Sequence, residues 1–375
     1  MRYIVNSAEL YGHLQNLDKV ILAKNSIPIL SCVLFEIKDS TLNMRATDKE
    51  ITLTSTLQLI ESSGDSSFAV NAKRILDILK VLPEQPITLD VNTSSLQIDL
   101  KYLNGHIVFQ GESADEFPLL KKNEGETASF PVDATALGKA LTNAAVATAS
   151  DDARIAMQGI FFDIAPNEFA IVASDGRKLV RSLITCDTNG VTTSFIMPQK
   201  PVAVIRSVLD KSITTINIST YAAGNATFDM GDYVMHCRLV SEAYPNYKKV
   251  IPQNNDRIAT LDRDSLMSAL RRVMVVADQS TCLVKLQFEA DKLTITAENN
   301  NYAQSAEEHI ICQYEGMPIK IGFQGNFLQE LLGRLDTEEA IIQLSDPSRA
   351  GLILPSKQEE NFNVLMLLMP LLITN

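Results

Sequence analysis

The most enzyme-like segment of this 375-residue chain is "SDGRK", Ser174–Lys178. An aspartate on a short loop beside two cations could be the catalytic residue of a hydrolase. The same Asp-Gly pair is what a hairpin needs between alternating strands, because glycine accepts left-handed backbone. The turn is the favoured reading. Four histidines (His13, His106, His236, His309) show no HxxxH or HExxH spacing, and only His236 stands next to a cysteine, Cys237. A single such pair fills a core more often than it holds zinc. Neither a GxxxxGK[ST] phosphate loop nor a GxSxG elbow occurs. No catalytic residue, metal or cofactor is therefore expected, and a hydrolase using Asp175 is the minor reading.

A different chemistry is written in "SEAYPNYKKV", Ser241–Val250, which is followed by Ile251 and Pro252. Two tyrosines flank a proline, and two lysines lead to another. Proline fixes its own backbone and restricts the residue before it, so this is an extended connector rather than a helix. A counterpart, "DEFPLLKKNEG" (Asp115–Gly125), also puts an aromatic before a proline and two lysines after it. The expected job of Phe117 and Tyr244 is to plug the seam between adjacent domains.

The elements that must position these segments form a repeat. "VNSAELYGHL" (Val5–Leu14), "VDATALGKAL" (Val132–Leu141) and "LDRDSLMSAL" (Leu261–Leu270) each set a polar N-cap before leucines four apart. Leu10, Leu137 and Leu266 correspond, at spacings of 127 and 129. A second helical triplet, Asn71–Pro83, Pro198–Asp210 and Gln324–Asp336, ends in Leu82, Leu209 and Leu335, at spacings of 127 and 126. Two registers with nearly one period indicate three repeats. Alternating segments lie between the helices of each copy and after the second one, as in "ITLDVNTSSLQIDL" (Ile87–Leu100). The expected fold is α+β: three domains, 1–127, 128–253 and 254–375, each with two helices packed on antiparallel sheets.

Composition is globular, with 46% hydrophobic and 21% charged residues, too much for one core. Five scattered cysteines (Cys32, Cys186, Cys237, Cys282, Cys312) read as reduced thiols of a cytosolic protein. The start, "MRYIVNSAEL", has no signal-peptide h-region, and the longest apolar run, Val364–Ile373, is too short to span a bilayer. The chain reads as soluble and intracellular. A net charge of −12 argues against nucleic acid unless charge is segregated. It is segregated: the six helices carry Lys19, Lys73, Arg74, Lys80, Lys139, Lys200, Arg206, Arg271, Arg272 and Arg334, against only Glu9, Asp18, Asp77, Asp264 and Glu330. A basic helical surface backed by acidic sheets suits phosphate contact without base reading.

With these features in view, the chain resembles the bacterial DNA polymerase III beta subunit family, the sliding clamps. "SIPIL" (Ser26–Leu30), "ASDGRKLV" (Ala173–Val180), "YPNYKKVIP" (Tyr244–Pro252) and "LMP" (Leu368–Pro370) are similar to the family's segments, in order and across the whole length. The resemblance implies a cytoplasmic, nucleoid-associated processivity factor: a head-to-tail homodimeric ring, non-enzymatic, that encircles duplex DNA without sequence preference. Twelve helices about 10 Å wide would set their axes on a circle roughly 38 Å across, with an opening near 28 Å. A duplex roughly 20 Å thick, with grooves about 8.5 Å deep on each side, would pass through it. The DNA-facing set is then Lys24, Lys73, Arg74, Lys80, Lys139, Lys200, Arg206, Arg271 and Arg272.

The resemblance also implies a groove that takes short apolar motifs of the replicative polymerase, clamp loader and repair proteins. By position it uses Met157, Ser174, Gly176, Arg177, Leu179, Pro245, Lys249, Val250, Ser348, Ala350, Leu368, Met369, Pro370 and Leu371. The implied ring contact sets Ile107 and Phe109 against Val275 and Val276; the alternative is that these four are ordinary strand and helix core residues. Three departures stand out. Arg177 and Lys178 replace a histidine then an arginine, Lys249 replaces an arginine, and "LLITN" extends beyond Met369-Pro370. The alternative is a multi-domain protein-binding scaffold that does not encircle DNA.

Overall fold

The computed structural model describes residues 1–119, 124–151 and 153–373. Seven helices are found among them: α1 (Ser7–Asp18), α2 (Ala72–Leu79), α3 (Ala134–Ala144), α4 (Ile155–Gln158), α5 (Gln199–Val208), α6 (Arg263–Val273) and α7 (Gly325–Leu332). Polar caps start several of them. Asn6 accepts from the Ala8 and Glu9 amides, Asn71 from Arg74 N and Asp262 from Ser265 N, each satisfying otherwise orphaned donors. The leucines four apart are the buried stripe: Leu10, Leu14, Leu137, Leu141, Leu266 and Leu270 are all fully buried.

Two expectations need correction. The second helix of each copy ends before Leu82, Leu209 and Leu335, at Leu79, Val208 and Leu332. Leu82 and Leu335 instead close single turns, through bonds to the Leu79 and Leu332 carbonyls. The short helix α4 was also not anticipated, because four residues are too few to show periodicity.

The chain divides into two compact units. The first, Met1–Thr135 with Lys200–Leu239, holds two antiparallel sheets. One runs Glu61–Ser62, Arg2–Asn6, Pro86–Val91, Gln97–Tyr102, Gly105–Gln110. The other has eight strands: Glu126–Asp133, Thr215–Tyr221, Asn225–Asp229, Tyr233–Arg238, Ile51–Gln58, Thr41–Thr47, Cys32–Lys38 and Ser66–Asn71. It joins two copies of the repeat where Ile51 pairs with Cys237.

The second unit, Ala136–Gln199 with Val240–Asn375, repeats the plan. Its nine-stranded sheet runs Thr193–Met197, Ile160–Ala165, Glu168–Ser174, Lys178–Thr185, Phe362–Leu368, Gly351–Pro355, Glu339–Leu344, Arg257–Asp262, Gln313–Glu315. Here the join is Lys178 with Leu368. A four-stranded sheet follows the order Gln304–Ile311, Lys292–Asn299, Leu283–Glu289, Ile319–Gln324. One further contact recurs in all three copies. The chain leaving each copy bridges back to the strand before its second helix, at Ala69–Glu112, Ile196–Val240 and Gly322–Leu371.

Candidate peptide groove and nucleic-acid interface

The Ser174–Lys178 turn is built by side chains that bond their own backbone. Asp175 Oδ1 accepts from Arg177 N and Lys178 N, both at 2.8 Å. Ser174 Oγ donates to the Lys178 carbonyl at 2.9 Å and accepts from Gly176 N at 3.1 Å. Gly176 sits at φ 82°, which is why a glycine is wanted there. The first copy builds the same turn 127 residues earlier. Asp48 Oδ1 accepts from Glu50 N at 3.0 Å and Ile51 N at 2.7 Å, and Thr47 Oγ1 donates to the Ile51 carbonyl at 2.8 Å. Asp175 is therefore occupied as a turn aspartate in a repeated motif, and among the described residues no histidine is bonded to it.

The connector lies on the sheet beside that turn. Tyr244 stacks on Phe161 with centroids 4.7 Å apart, and Tyr247 meets the same ring edge-on at 6.1 Å. Tyr247 donates its hydroxyl to Asp163 at 2.8 Å, and Lys248 pairs with that carboxylate at 2.9 Å. Burial raises both tyrosine pKa values; for Tyr247 the bond to Asp163 adds to the effect. The rings join one apolar cluster with Leu179, Ala350, Leu352 and Leu367. So Tyr247 and Lys248 anchor the connector, while Pro245, Lys249 and Val250 remain exposed along it.

The other expected groove residues gather around this cluster. Leu179 pairs with Ser174 across the turn, and Leu368 lies between Lys178 and Gly351 in the ladder. Met369 N donates to the Arg177 carbonyl at 2.8 Å, with the Met369 side chain left 43% exposed. Pro370 and Leu371 are half-buried, and Leu371 N donates to Gly322 O at 2.8 Å. Ala350 is buried, its carbonyl taken by Asn255 at 3.2 Å; Ser348 is exposed and bonds Asp346 at 2.5 Å. Met157 is half-buried on α4, its Cε about 4.0 Å from where a Gly176 Cβ would lie.

Sequence reasoning missed Arg154, which bonds the Asp175 carbonyl and pairs with Asp151, so pinning α4 to the turn. A signal existed: the "SIPIL" turn, Pro28–Ser31, lies 127 residues before α4. Lys178 also needs correction. Standing where the resemblance places an arginine beside the groove, it is buried, paired with Glu330 and with its ammonium 4.1 Å from the Phe327 ring centre.

The expected DNA-facing cations fall into two classes. Lys24, Lys73, Arg74, Lys80, Arg206 and Arg271 are exposed, and among the described residues none is in a salt bridge. Three others are held by the protein itself. Lys139 reaches Asp336 at 2.7 Å and Glu359 at 2.6 Å, and Lys200 reaches Asp48 and the Val20 carbonyl, each at 2.6 Å. Arg272 grips Glu308 with two nitrogens, at 2.5 and 2.8 Å. Partial burial works against the Lys139 ammonium, yet the two carboxylates outweigh it and hold its pKa above the ordinary lysine value.

The expected ring-contact residues differ in environment. Phe109 is only 7% exposed and belongs to its own sheet, Ile107 and Val276 are half-buried, and Val275 is 82% exposed. Among the described residues, the strands near them, Gly105–Gln110 and Gln304–Ile311, are edge strands of their sheets with one side unpaired.

Three family models match in tandem: the DNA polymerase III beta subunit N-terminal domain over residues 1–121, the central domain over 131–246 and the C-terminal domain over 248–371. The chain belongs to the DNA polymerase III beta subunit family. The curated beta sliding clamp of Pseudomonas putida is 24% identical over 367 residues, 98% of this chain and 99% of the relative. That of Proteus mirabilis is 26% identical, covering 92% and 94%. Among solved structures, the DNA polymerase III beta subunit of Thermotoga maritima superposes with a TM-score of 0.90 at 26% identity, covering 100% of both chains. A DnaN sliding clamp from Bartonella birtlesii, bound to griselimycin, matches with a TM-score of 0.90, 26% identity and the same coverage. In this beta-subunit family member, the Lys178–Leu368 join links the central and C-terminal matches. Among the described residues no helix is long and apolar enough to cross a membrane, and no cluster of His, Cys, Asp or Glu could hold a metal ion.

Proposed function

We propose that this sliding clamp works as a homodimeric ring that encircles duplex DNA, slides along it and tethers partner proteins. The observation that carries the reading is the tandem match of all three beta-subunit domains from residue 1 to 371. Domain limits near 127 and 253 follow from the repeat. Tethering is by topology, so catalysis and a cofactor are unnecessary. The exposed cations Lys24, Lys73, Arg74, Lys80, Arg206 and Arg271 would give fast-exchanging phosphate contacts. Lys139, Lys200 and Arg272 contribute less, because carboxylates of the chain already neutralise them.

The groove around Leu179, Met369 and Pro245 would receive short apolar motifs of the replicative polymerase, the clamp loader and repair proteins. Polarizable Met157 and Met369 suit a surface that accepts several partners. Griselimycin, bound by the Bartonella birtlesii relative, is a candidate ligand here too.

Head-to-tail assembly is favoured by the two unpaired edges. Joining Gly105–Gln110 of one protomer to Gln304–Ile311 of its partner would merge a five- and a four-stranded sheet, matching the nine-stranded sheet inside the chain. It would also cover backbone groups that otherwise invite aggregation. The test is light scattering at micromolar concentration. The expected mass is twice the 41.3 kDa of one chain, and Val275→Asp should give a folded monomer. A strictly monomeric or trimeric wild type would refute the ring. Phe109→Asp is a poorer probe, because that buried ring supports the fold itself.

A further inference from the structure

The repeat that builds the groove builds a second cleft from equivalent positions. In the first unit, the strands Thr41–Thr47 and Ile51–Gln58 lie 127 residues before Glu168–Ser174 and Lys178–Thr185. The Ile51–Cys237 pairing takes the place of Lys178–Leu368, and Ala226–Cys237 that of Gly351–Leu368. By these registers Lys49 stands for Gly176, Glu50 for Arg177, Thr52 for Leu179, Arg238 for Met369 and Pro118 for Pro245. These five residues line one cavity of about 520 Å³. That is the size of an ordinary ligand cleft, roughly 300–1,000 Å³.

The chemistry of this cleft is inverted. Where the groove has the exposed thioether of Met369, the cleft has the guanidinium of Arg238, 71% exposed. Lys49 is exposed, and Arg45 on the wall is held by Glu36 at 2.6 Å, so Lys49 and Arg238 are the cations set against the lining acid, Glu50. Arg238 and Glu50 are 3.7 Å apart and both more than half exposed, a loose pair that an incoming carboxylate could replace at little cost. One apolar shelf remains, with Pro118 and Leu119, the latter 92% exposed. A phosphate backbone would have no use for that shelf. A short extended peptide carrying both carboxylates and a leucine-sized side chain would use both features.

We propose that the cleft bounded by Lys49, Arg238, Pro118 and Leu119 is a second docking site, which takes acidic, leucine-containing peptide segments of partner proteins. The proposal rests on the tethering reading in one respect: it gives the cleft the same kind of occupant as the groove.

The test uses fluorescence polarisation on the full chain with two labelled probes. One is the acidic heptapeptide Gly-Asp-Leu-Glu-Glu-Leu-Asp; the other is a Gln- and Leu-containing peptide without acids. The acidic probe should bind, and Arg238→Glu or Lys49→Glu should weaken it by about tenfold or more. Met369→Ala should leave it unchanged and weaken only the second probe. Absence of acidic-probe binding while the second probe binds overturns the proposal alone. Binding of the acidic probe without the second would instead remove the groove reading. Indifference to both cation reversals, or displacement of the acidic probe by an equimolar short DNA duplex, would also overturn the proposal, the latter by assigning the cations to phosphate.

Discussion

The two joins of the chain share registers, turn geometry and connector position, yet their surfaces differ in kind. At the second join, Tyr244 stacks on Phe161, Tyr247 closes the cluster, and Met157 and Met369 stay accessible beside it. At the first, Phe117 occupies the place of Tyr244 and packs with Leu34, the counterpart of Phe161. There Leu30, the counterpart of Met157, is buried in the same cluster. Burying that residue takes one apolar wall away from the first join and leaves only the Pro118–Leu119 shelf. Arg238, Lys49 and Glu50 then decide its surface. A few side chains at fixed backbone positions thus change what a repeated scaffold can bind, without changing the scaffold.

The largest effect should come from damage to the apolar join. Met369→Ala and Pro245→Ala each remove part of a hydrophobic contact, on the order of 1–3 kcal/mol if the residue anchors the motif. The expected result is about a tenfold to hundredfold loss of affinity for an apolar partner peptide, with dimer mass unchanged. Equal binding by both variants would place the groove elsewhere. Loss of the dimer alongside binding would make the connector purely structural.

A smaller effect separates cations that face solvent from those the chain keeps. Lys200→Met takes the cation from Asp48 Oδ2 and leaves a carboxylate whose side chain is only 8% exposed with its turn amides alone, and should cost about 1–3 kcal/mol of stability by chemical denaturation. Arg206→Ala should be nearly neutral in stability, but should lower the salt dependence of short-duplex binding by about one unit of slope. If Lys200→Met left stability untouched and Arg206→Ala reduced it, the division into free and held cations would be wrong.

The smallest effect is in acid. Burial depresses the pKa values of His13 and His236, both in the first unit; Arg45 reinforces the effect at His236, while Asp232 and Glu9 partly oppose it at His13. A histidine with a depressed pKa takes up its proton less readily in the folded state than in the unfolded one. Its contribution is complete above the unfolded value of 6.5 and declines as pH falls below it. Thermal midpoints should therefore be flat from pH 8 to 7 and drop from 6.5 towards 5, with His236→Gln shrinking the drop. An unchanged slope in that variant would show that His236 is not a contributor.

Much of this architecture was legible because it is periodic. Leu10 and Leu14 announce a helix face, and the same spacing twice more announces three copies. Asp175-Gly176 was legible as a turn because its bonds are to residues two and three positions away. What could not be read were partnerships across long sequence separations. Nothing near Lys139 marks Glu359 as its partner, 220 residues on, and nothing near Lys200 marks Asp48. Composition counts such cations as available for phosphate, whereas the folded chain has already spent their charge. The same limit hid the inward turn of Lys178. The paired lysines of the first connector, Lys121 and Lys122, lie outside the described residues.

The central claim is topological, and one measurement addresses it directly. The protein is loaded onto nicked circular plasmid, separated from free protein by gel filtration, and followed after a single restriction cut. Retention on the circle with loss from the linear product is expected, at salt concentrations that abolish short-duplex binding. Equal retention on both forms, or loss from the circle at that salt, would contradict encirclement and leave a scaffold that merely touches DNA.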